Sequence, residues 1–436
     1  MLALVHDLGR LIDAQRAHGH VAMLASDRCA GRAIGSAGEQ RAAQYLVDQL
    51  RRIGARPLFE PDRYCDPFAL TVSEQTTSPT LALAGSPATA WAPLRDFCVD
   101  VQGAASGGNA SAETVWLGSM ATAEELPDAL HGRIGVCWST PPSSGDTLRA
   151  AFESYLLRVR RARDVEARAL LQIAQRVDRF KLMAHRHEAP GIPVLDIAPA
   201  VGRALFAPYP PLAVGQLGQP VVLQVALTRR AVQSAGNLVA ELGSGAIGCV
   251  LVAHYDHLGA LPDGRFFPGA ADNAAGVAVA LEATAAIAAV ADRLQRRLVL
   301  LLTTAEEVGM YGAQRFVDRF GATLDQQTQI VCVDEIAGRG GRPLPLLATA
   351  AWRAQPQLLA ACHQLDVGVQ PRPLPPFGFF DAMPFVEAGL PLVASLTDPG
   401  EPDVVHTFDD AVDRIEPDRL AAAARALVAI VLPALS

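Results

Sequence analysis

The stretch Gly248-Cys-Val-Leu-Val-Ala-His-Tyr-Asp-His257 decides the fold, because an apolar run ends in it abruptly at imidazole and carboxylate groups. A short apolar run of this kind is typical of a buried strand, and the residues after it leave the sheet at its carboxyl edge. Side chains alternate along an extended chain, so His254 and Asp256 are predicted to point the same way and His257 to point away. The carboxylate of Asp256 is a natural partner for the second ring nitrogen of His254. The stretch therefore predicts a functional edge at His254 and makes His257 a bystander.

The same arrangement is repeated downstream. Apolar runs at 249–253, 298–303, 330–333 and 390–395 predict strands, and they alternate with predicted helices near 274–291 and 357–365. This alternation is typical of βαβ units. The sequence thus predicts an α/β fold with a mainly parallel, mixed sheet flanked by helices.

Candidate metal ligands stand where these runs end or where a helix begins. Asp272 or Asn273 is placed to cap the helix that follows, and the carboxylate of Asp272 can bridge two cations with one oxygen for each. Glu306 and Glu307 are neighbouring carboxylates behind a buried strand, and they repel each other unless a cation offsets the repulsion. One of them can ligate while the other serves as a general base. Together these residues predict a two-metal hydrolase site. Its candidate members are His254, Asp272, Glu306 or Glu307, Asp334 and His406.

Composition limits the other possibilities. The chain has 436 residues, of which 50% are hydrophobic and 19% charged, so it is predicted to be globular with two domains. A formal charge of -8 argues against a general nucleic-acid binder. Nine basic residues do lie between 158 and 186, mixed with Leu170, Leu171 and Ile173 at roughly helical spacing. A solvated helix face is predicted there.

The compartment is predicted from three further features. The seven cysteines are scattered without a Cys-x-x-Cys pair, so no disulfide framework is expected. The N-terminus has no positive region before its apolar run, and no stretch of about 18 apolar residues occurs. A cytoplasmic protein without membrane contact is predicted, although a lost leader would make it secreted or periplasmic.

Two regions precede the first strand of the metal-binding half. Residues 2–56 are predicted to be helical, with Ala42, Leu46 and Leu50 on one buried face and Gly54 as the C-cap. Short strand-like pieces broken by Pro, Gly and Ser then continue to about residue 220, and strands are predicted at 132–138 and 191–197.

Five segments together resemble the co-catalytic zinc aminopeptidases of peptidase family M28. They are Ala253-His-Tyr-Asp-His-Leu-Gly259, Gly269-Ala-Ala-Asp-Asn-Ala-Ala-Gly276, Ala305-Glu-Glu-Val-Gly-Met-Tyr-Gly312, Val333-Asp334 and His406-Thr-Phe-Asp-Asp410. The resemblance implies two zinc ions per chain, with other divalent transition metals possible. The implied ligands are His254 and Asp334 for one ion, Glu307 and His406 for the other, and Asp272 as the bridge. It also implies Glu306 as general base and Asp256 as the residue that orients His254.

The N-terminal segment Leu24-Ala-Ser-Asp-Arg-Cys-Ala-Gly-Arg-Ala-Ile-Gly35 resembles that of bacterial members of the family, in which a protease-associated (PA) domain is often inserted. The resemblance implies three parts. Residues 1–60 would be the N-terminal part of the peptidase domain, 61–225 an inserted smaller α/β, PA-like domain, and 226–436 the main di-metal peptidase domain.

The expected activity is removal of N-terminal residues from peptides. Three alternatives stay open: a glutaminyl-cyclase-like acyltransferase with one zinc, a carboxypeptidase that grips the substrate carboxylate with Arg339 or Arg342, and a non-catalytic binding homologue. One departure concerns substrate choice, since Phe380-Asp-Ala-Met-Pro-Phe385 stands where many relatives have Ser-Asp followed by His or Tyr. Phe377, Phe379 and Phe380 are predicted either to form an apolar wall for bulky side chains or to pack beneath the loop.

Overall fold

The computed structural model describes residues 2–86, 90–100, 106–119, 127–139, 148–178, 191–206, 212–337, 342–356, 358, 368–376, 378–398, 400 and 404–436. The chain divides into two compact units. The first unit contains the chain up to residue 70 together with 232–260 and 266–436, and the second contains 71–231 and 261–265. The chain passes from one unit to the other within two long strands, Cys65–Gln75 and Leu227–Leu242.

Within the described residues, seventeen strands form two sheets. In chain order they are β1 (Arg56–Pro57), β2 (Cys65–Gln75), β3 (Thr80–Leu83), β4 (Ala90–Trp91), β5 (Phe97–Val99), β6 (Gly108–Trp116), β7 (Ile134–Trp138), β8 (Ala169–Ile173), β9 (Val194–Ile197), β10 (Leu217–Val225), β11 (Leu227–Leu242), β12 (Ile247–His254), β13 (Arg297–Thr303), β14 (Gln329–Ile336), β15 (Leu344–Ala348), β16 (Val369–Pro373) and β17 (Val393–Asp398).

The α-helices of the described residues lie between these strands and at both ends of the chain. Their bounds are Leu2–Gly9, Ala14–Leu24, Ala37–Ile53, Leu148–Asp164, Pro199–Leu205, Gly276–Ala288, Tyr311–Phe320, Ala350–Arg353, Met383–Glu387 and Pro417–Val431. The helix predicted at 357–365 lies almost entirely outside the described residues. None of the described helices has the length and apolar character needed to cross a membrane.

The sheet of the first unit has the order β1-β11-β13-β12-β14-β17-β15-β16, with β2 paired to β11. The four central strands β13, β12, β14 and β17 are parallel. They are flanked by β11, which runs antiparallel to β13, and by β15, which runs antiparallel to β17 and parallel to β16. His254 is in register with Thr303, and Val252 with Cys332. The carboxyl ends of β12, β13 and β14 therefore share one edge. The predicted mixed, mainly parallel α/β sheet is confirmed.

Helices cover both faces of this sheet. On one face the helix Gly276–Ala288 is buried along nearly its whole length, as is Pro417–Val431, because each is packed between the sheet and other helices. A helix apolar on all sides is stable only in such a position. On the other face Phe316 and Phe385 anchor the helices Tyr311–Phe320 and Met383–Glu387 against the strands.

The predicted packing helix near the N-terminus is confirmed as Ala37–Ile53. The hydroxyl of Ser36 caps it by accepting the backbone N–H of Glu39, and Gly54 ends it in the left-handed conformation with φ 80°. Ala42, Leu46 and Leu50 are fully buried against the main core.

The second unit has its own sheet, in the order β4-β3-β10-β6-β7-β8-β9-β5. Its parallel centre contains the two strands predicted near 132–138 and 191–197. The prediction of one basic helix from 158 onward is wrong after Asp164. The chain turns at Glu166, where φ is 59°, and Ala169–Ile173 enters the sheet as the fully buried strand β8. Leu170, Leu171 and Ile173 match a helical spacing, but they lie in a buried strand between two neighbouring strands. A short apolar run fits either structure.

Six cysteines lie in the described part of the chain, and none of them forms a disulfide. Cys362 lies outside it. Burial raises the pKa of Cys137 to about 12, so this thiol is a protonated core side chain.

Candidate functional site

Three neighbouring parallel strands deliver side chains to the same edge of the first sheet. His254 is the last residue of β12, and Asp334 lies near the end of β14. The strand β13 ends at Thr303, and the turn after it carries Glu306 and Glu307. This turn is held closed by two backbone bonds, since the carbonyl of Glu306 accepts the N–H groups of Gly309 and Met310 at 2.8 and 2.9 Å. The sheet therefore brings residues 80 positions apart into contact.

Asp272 lies in a single wide helical turn, Ala270–Ala275, that precedes the helix Gly276–Ala288. The peptide bond between Asp272 and Asn273 is cis. The side chain of Asn273 fixes the turn at both ends, because its amide donates to the carbonyl of Val333 at 2.8 Å and its oxygen accepts the N–H of Gly276 at 3.0 Å. The prediction that Asp272 or Asn273 is the N-cap of the helix is wrong, because Ala275 occupies that position. Asn273 instead connects the turn to Val333 and to Gly276, and the carboxylate of Asp272 is left for the site.

His406 reaches the site from a loop between β17 and the last helix. Its φ is 63°, and the hydroxyl of Thr407 donates to the carbonyl of Val404 at 2.6 Å to close the turn. The side chain of His406 is 30% exposed, compared with 2% for His254 and 5% for Asp272. The site is therefore more open to solvent on the His406 side.

The two oxygens of Asp272 face two different groups of donors. Nε2 of His254 lies 3.2 Å from Oδ1 of Asp272 and 3.3 Å from Oδ1 of Asp334. Nε2 of His406 lies 2.9 Å from Oδ2 of Asp272 and 3.2 Å from Oε2 of Glu307. Asp272 is therefore the shared member of two clusters, each with one imidazole and a second carboxylate.

Glu306 stands beside the first cluster. Its Oε2 is 4.0 Å from Nε2 of His254, farther than the carboxylate oxygens of Asp272 and Asp334. Its side chain is only 9% exposed. Of the two neighbouring glutamates, Glu307 is thus in closer contact with an imidazole, and Glu306 lies farther from one.

Asp256 lies beneath His254 and is completely buried. Nδ1 of His254 is 3.3 Å from the carbonyl oxygen of Asp256 and 3.7 Å from its carboxylate oxygen Oδ1. The same Oδ1 accepts the backbone N–H of Glu306 at 3.2 Å. Asp256 therefore lies between His254 and the turn that carries the glutamates.

The prediction that His257 points away from the site is wrong. Nδ1 of His257 lies 2.5 Å from Oε1 of Glu307 and 3.9 Å from Oδ2 of Asp272. The strand β12 ends at His254, so the alternation of side chains does not extend to the three residues after it. His257 is 1% exposed and its ring faces that of His406, with 5.8 Å between the ring centroids.

The electrostatic environment divides the carboxylates. Burial opposes ionisation of Glu307, but the nearby His406 and His257 outweigh that effect and the neighbouring carboxylate of Asp272, and they lower the pKa of Glu307 to about 2. Burial raises the pKa of Glu306 well above its usual range, and the charge of Glu307 adds to the shift. Burial alone would lower the pKa of His254, yet the carboxylates of Glu306 and Asp334 raise it well above its usual value. The site favours positive charge at the centre of each cluster.

The arrangement fits divalent metal ions. Three groups of side chains have potential ligand atoms that all lie within 4.8 Å of one another: His254 with Asp272 and Asp334, His254 with Glu306 and Glu307, and His257 with Asp272 and Glu307. Ligands about 2.0–2.1 Å from a tetrahedral zinc ion are separated from each other by about 3.3 Å. The donor atoms around His254 and His406 are 2.9–3.3 Å apart. Imidazole and carboxylate groups at this spacing are suited to zinc.

A buried acid that the sequence did not single out as functional lies next to this cluster. The hydroxyl of Thr303 donates to Oδ2 of Asp381, while Oδ1 is buried without a hydrogen-bond partner among the described residues. Burial raises the pKa of Asp381 to about 7. In the same loop Phe380 packs against the core, whereas Phe379 is 43% exposed, and Phe377 lies outside the described residues. Packing beneath the loop is thus confirmed for Phe380, whereas an apolar wall for substrate side chains stays a prediction.

Two further residues support the site from outside it. The guanidinium of Arg32 is fully buried and donates to four backbone carbonyls, those of Leu24, Tyr255, Pro268 and Gly269. These bonds join the N-terminal segment to both ends of the segment 255–269. Asp410 accepts two backbone N–H groups of the Asp272 turn. Both residues lie in segments that resemble the family, but a side-chain bond to a distant backbone group leaves no local pattern in the sequence.

Of the arginines suggested for a carboxylate grip, Arg339 lies outside the described residues. Arg342 is exposed, and its carbonyl accepts Nη1 of Arg419 at 2.7 Å. It lines a small cavity of about 90 Å³ together with Asp410 and Arg414.

The sequence profile of peptidase family M28 matches residues 237–431. Among solved structures, an aminopeptidase from Aneurinibacillus sp. strain AM-1 is 19% identical, with a TM-score of 0.70 over 99% of this chain and 96% of that one. A zinc aminopeptidase from Bacillus subtilis is 20% identical, with a TM-score of 0.67 over 98% and 96% of the two chains. A peptidase M28 precursor from Shewanella amazonensis SB2B is 20% identical, with a TM-score of 0.70 over 100% and 97%. No curated protein sequence matches the chain at a comparable level of significance.

Proposed function

We propose that this chain, whose residues 237–431 form a domain of peptidase family M28, is a di-zinc aminopeptidase that removes N-terminal residues from peptides. Metal-dependent peptidase activity is consistent with the family match, and the fold is that of known aminopeptidases. The observation that carries the finer proposal is the division of the Asp272 carboxylate between two imidazole–carboxylate clusters.

The residues that would hold the ions follow from the contacts. His254 and Asp334 would bind one ion, His406 and Glu307 the other, and Asp272 would bind both, one oxygen to each. Zinc ions bound in this way lower the pKa of water and polarise a carbonyl oxygen, which is the chemistry that peptide hydrolysis requires.

Glu306 is proposed as the general base. Its carboxylate lies close to the cluster without occupying the ligand positions nearest to His254, so it can accept a proton from the attacking water. The same carboxylic acid can then deliver the proton to the amine that leaves. Its buried side chain has a raised pKa, and such a group holds a proton more readily than an exposed glutamate does.

An excess of acidic groups supports an N-terminal rather than a C-terminal specificity. Eight carboxylates surround three imidazoles at this edge of the sheet: Asp256, Asp272, Glu306, Glu307, Asp334, Glu335, Asp381 and Asp410 against His254, His257 and His406. Burial raises the pKa of Glu306, Glu335, Asp381 and Asp410, so not all eight groups are ionised at neutral pH. The carboxylates that stay ionised and are not neutralised by the two cations would attract the ammonium group of a peptide N-terminus and repel a C-terminal carboxylate.

A combined metal and specificity assay tests the proposal. The purified protein is freed of metal with a chelator, reloaded with zinc and assayed on three matched substrates: a leucyl chromogenic amide, its N-acetylated form and a peptide with a blocked N-terminus and a free C-terminus. We expect two zinc ions per chain, and we expect hydrolysis of the first substrate alone. Equal hydrolysis of the acetylated substrate, or release of a C-terminal residue, would contradict the aminopeptidase assignment. A fourth substrate, a peptide with an N-terminal glutamine, tests the acyltransferase alternative, which one zinc ion together with cyclisation of this peptide would support.

A further inference from the structure

His257 makes the shortest contact of any imidazole in the site, although the proposed ligand set does not include it. Its Nδ1 lies 2.5 Å from Oε1 of Glu307. The other oxygen of Glu307, Oε2, lies 3.2 Å from Nε2 of His406. The two oxygens of one carboxylate are thus divided between two imidazoles.

The ring of His257 has a fixed position. The side chain is 1% exposed, and its backbone N–H donates to the carbonyl of Arg32 at 3.3 Å. A methyl group at Gly269 would lie 2.5 Å from Cγ and Cδ2 of the imidazole, so the absence of a side chain at this position makes room for the ring. Gly269 also has φ 61°, which favours glycine.

The short distance between Nδ1 of His257 and Oε1 of Glu307 favours a hydrogen bond between them over binding of one metal ion by both atoms. Two ligands of a tetrahedral zinc ion are separated by about 3.3 Å, and Nδ1 of His257 is nearer than this to Oε1 of Glu307. It is 3.9 Å from Oδ2 of Asp272, which is too far for a hydrogen bond. An ionised carboxylate can only accept, so Nδ1 carries the proton in this contact.

We propose that His257 is a positioning residue that holds Glu307 by an Nδ1–H hydrogen bond to Oε1 and thereby directs Oε2 toward the His406 cluster. This inference rests on the proposed function, since Glu307 is a ligand only if the site binds metal. Partners of this kind around a metal site typically contribute 10–100-fold to metal affinity. The effect is expected at the ion next to Glu307 and His406, and not at the ion next to His254.

Two substitutions separate hydrogen bonding from packing. His257→Leu fills a similar volume without a donor, whereas His257→Asn places an amide N–H close to the position of Nδ1. His20→Leu is the matched control, because it removes another buried imidazole, one whose Nδ1 contacts the hydroxyl of Tyr45 at 2.7 Å. The zinc dissociation constants of all four proteins are measured by competition with a chromophoric chelator, and thermal unfolding checks that each is folded.

We expect H257L to raise the dissociation constant of one of the two zinc ions by about 10–100-fold. The dissociation constant of the other ion should stay within about threefold of the wild-type value. H257N should recover most of that affinity, and H20L should change neither constant. Unchanged constants in H257L, or no recovery in H257N, would overturn the inference while leaving the proposed function intact. A wild-type protein that binds no zinc would overturn both.

A measurement on the wild type covers the case in which a variant does not fold. In the ¹⁵N-histidine-labelled, zinc-loaded protein, the His257 ring should give an Nδ1–H signal, as expected for a hydrogen-bond donor to Glu307. An Nδ1 without a proton but with the ¹⁵N shift of a coordinated nitrogen would make His257 a direct ligand and overturn the inference.

Discussion

Asp410 holds the backbone of Asp272 in place. Its Oδ2 accepts the backbone N–H of Asp272 at 3.1 Å, and its Oδ1 accepts that of Ala271 at 2.7 Å. Asp410 lies four residues after His406, so one buried carboxylate connects the two segments that carry the proposed bridging ligand and the most exposed ligand. Zinc affinity should therefore depend on a residue that lies outside the ligand set.

Substituting Asp410 by Asn should weaken zinc binding by about 10–100-fold, because an amide can accept at only one of these two positions and presents a donor to the other N–H. The measurement is zinc affinity by chelator competition. Asp409→Asn is the matched control, since this neighbouring side chain is exposed. Similar losses in both variants would mean that net charge, and not the two hydrogen bonds, determines affinity.

Glu306→Gln should keep both zinc ions and lower kcat by about 10²–10⁴-fold, because glutamine cannot take up the proton from water. The measurement is kcat for a leucyl amide, together with zinc content by atomic absorption. Glu307→Gln provides the contrast, since that change is expected to lower zinc content as well. Full turnover by E306Q would rule out the general-base assignment.

Arg32→Met should lower the free energy of unfolding by roughly 3 kcal/mol, because it leaves four buried carbonyls without their donors. Denaturant unfolding measures the difference. Arg28→Met, at an exposed position of the same segment, should have an effect within about 0.5 kcal/mol of zero. Equal stability of R32M and the wild type would show that water replaces the guanidinium without cost.

Asp381→Asn should stabilise the metal-free protein at high pH. The pKa of Asp381 is about 7 in the folded chain, above the value of about 3.9 expected in an unfolded one. The folded state therefore binds the extra proton between these values, so wild-type stability falls as the pH rises from 4 to 7. We expect D381N to melt roughly 5 °C above the wild type at pH 8 and close to it at pH 4, by calorimetry in the presence of a chelator. A difference that does not vary with pH would contradict the assignment.

The strands and the side chains at their ends could be predicted from the sequence, because both follow from local pattern. The run before His254 is apolar and short, and its partner strands before Glu306 and Asp334 have the same form. Parallel strands deliver their carboxyl ends to one edge, so their polar residues meet there without any further information. The predicted ligands consequently lie together, although their roles as ligands stay predictions.

The contacts that support the site could not be predicted in this way. His257 was assigned by the period of a strand that in fact ends three residues earlier. Arg32 and Asp410 act on backbone groups more than 100 positions away, and a side chain bonded to a distant carbonyl or N–H leaves no periodicity in the sequence. In the second unit the basic segment predicts a helix where residues 169–173 form a strand, because a fully buried strand and an amphipathic helix can share a short apolar pattern.

The helices Leu2–Gly9 and Pro417–Val431 contact each other in the folded first unit, where Nε of Arg425 donates to the carbonyl of Gly9 at 3.4 Å. His406 and Asp410 lie shortly before the second of these helices. A nascent chain that stops before His406 lacks the histidine of one cluster and the Asp410 support of Asp272. We therefore expect the proposed metal site to be complete only once residues 406–410 have been synthesised.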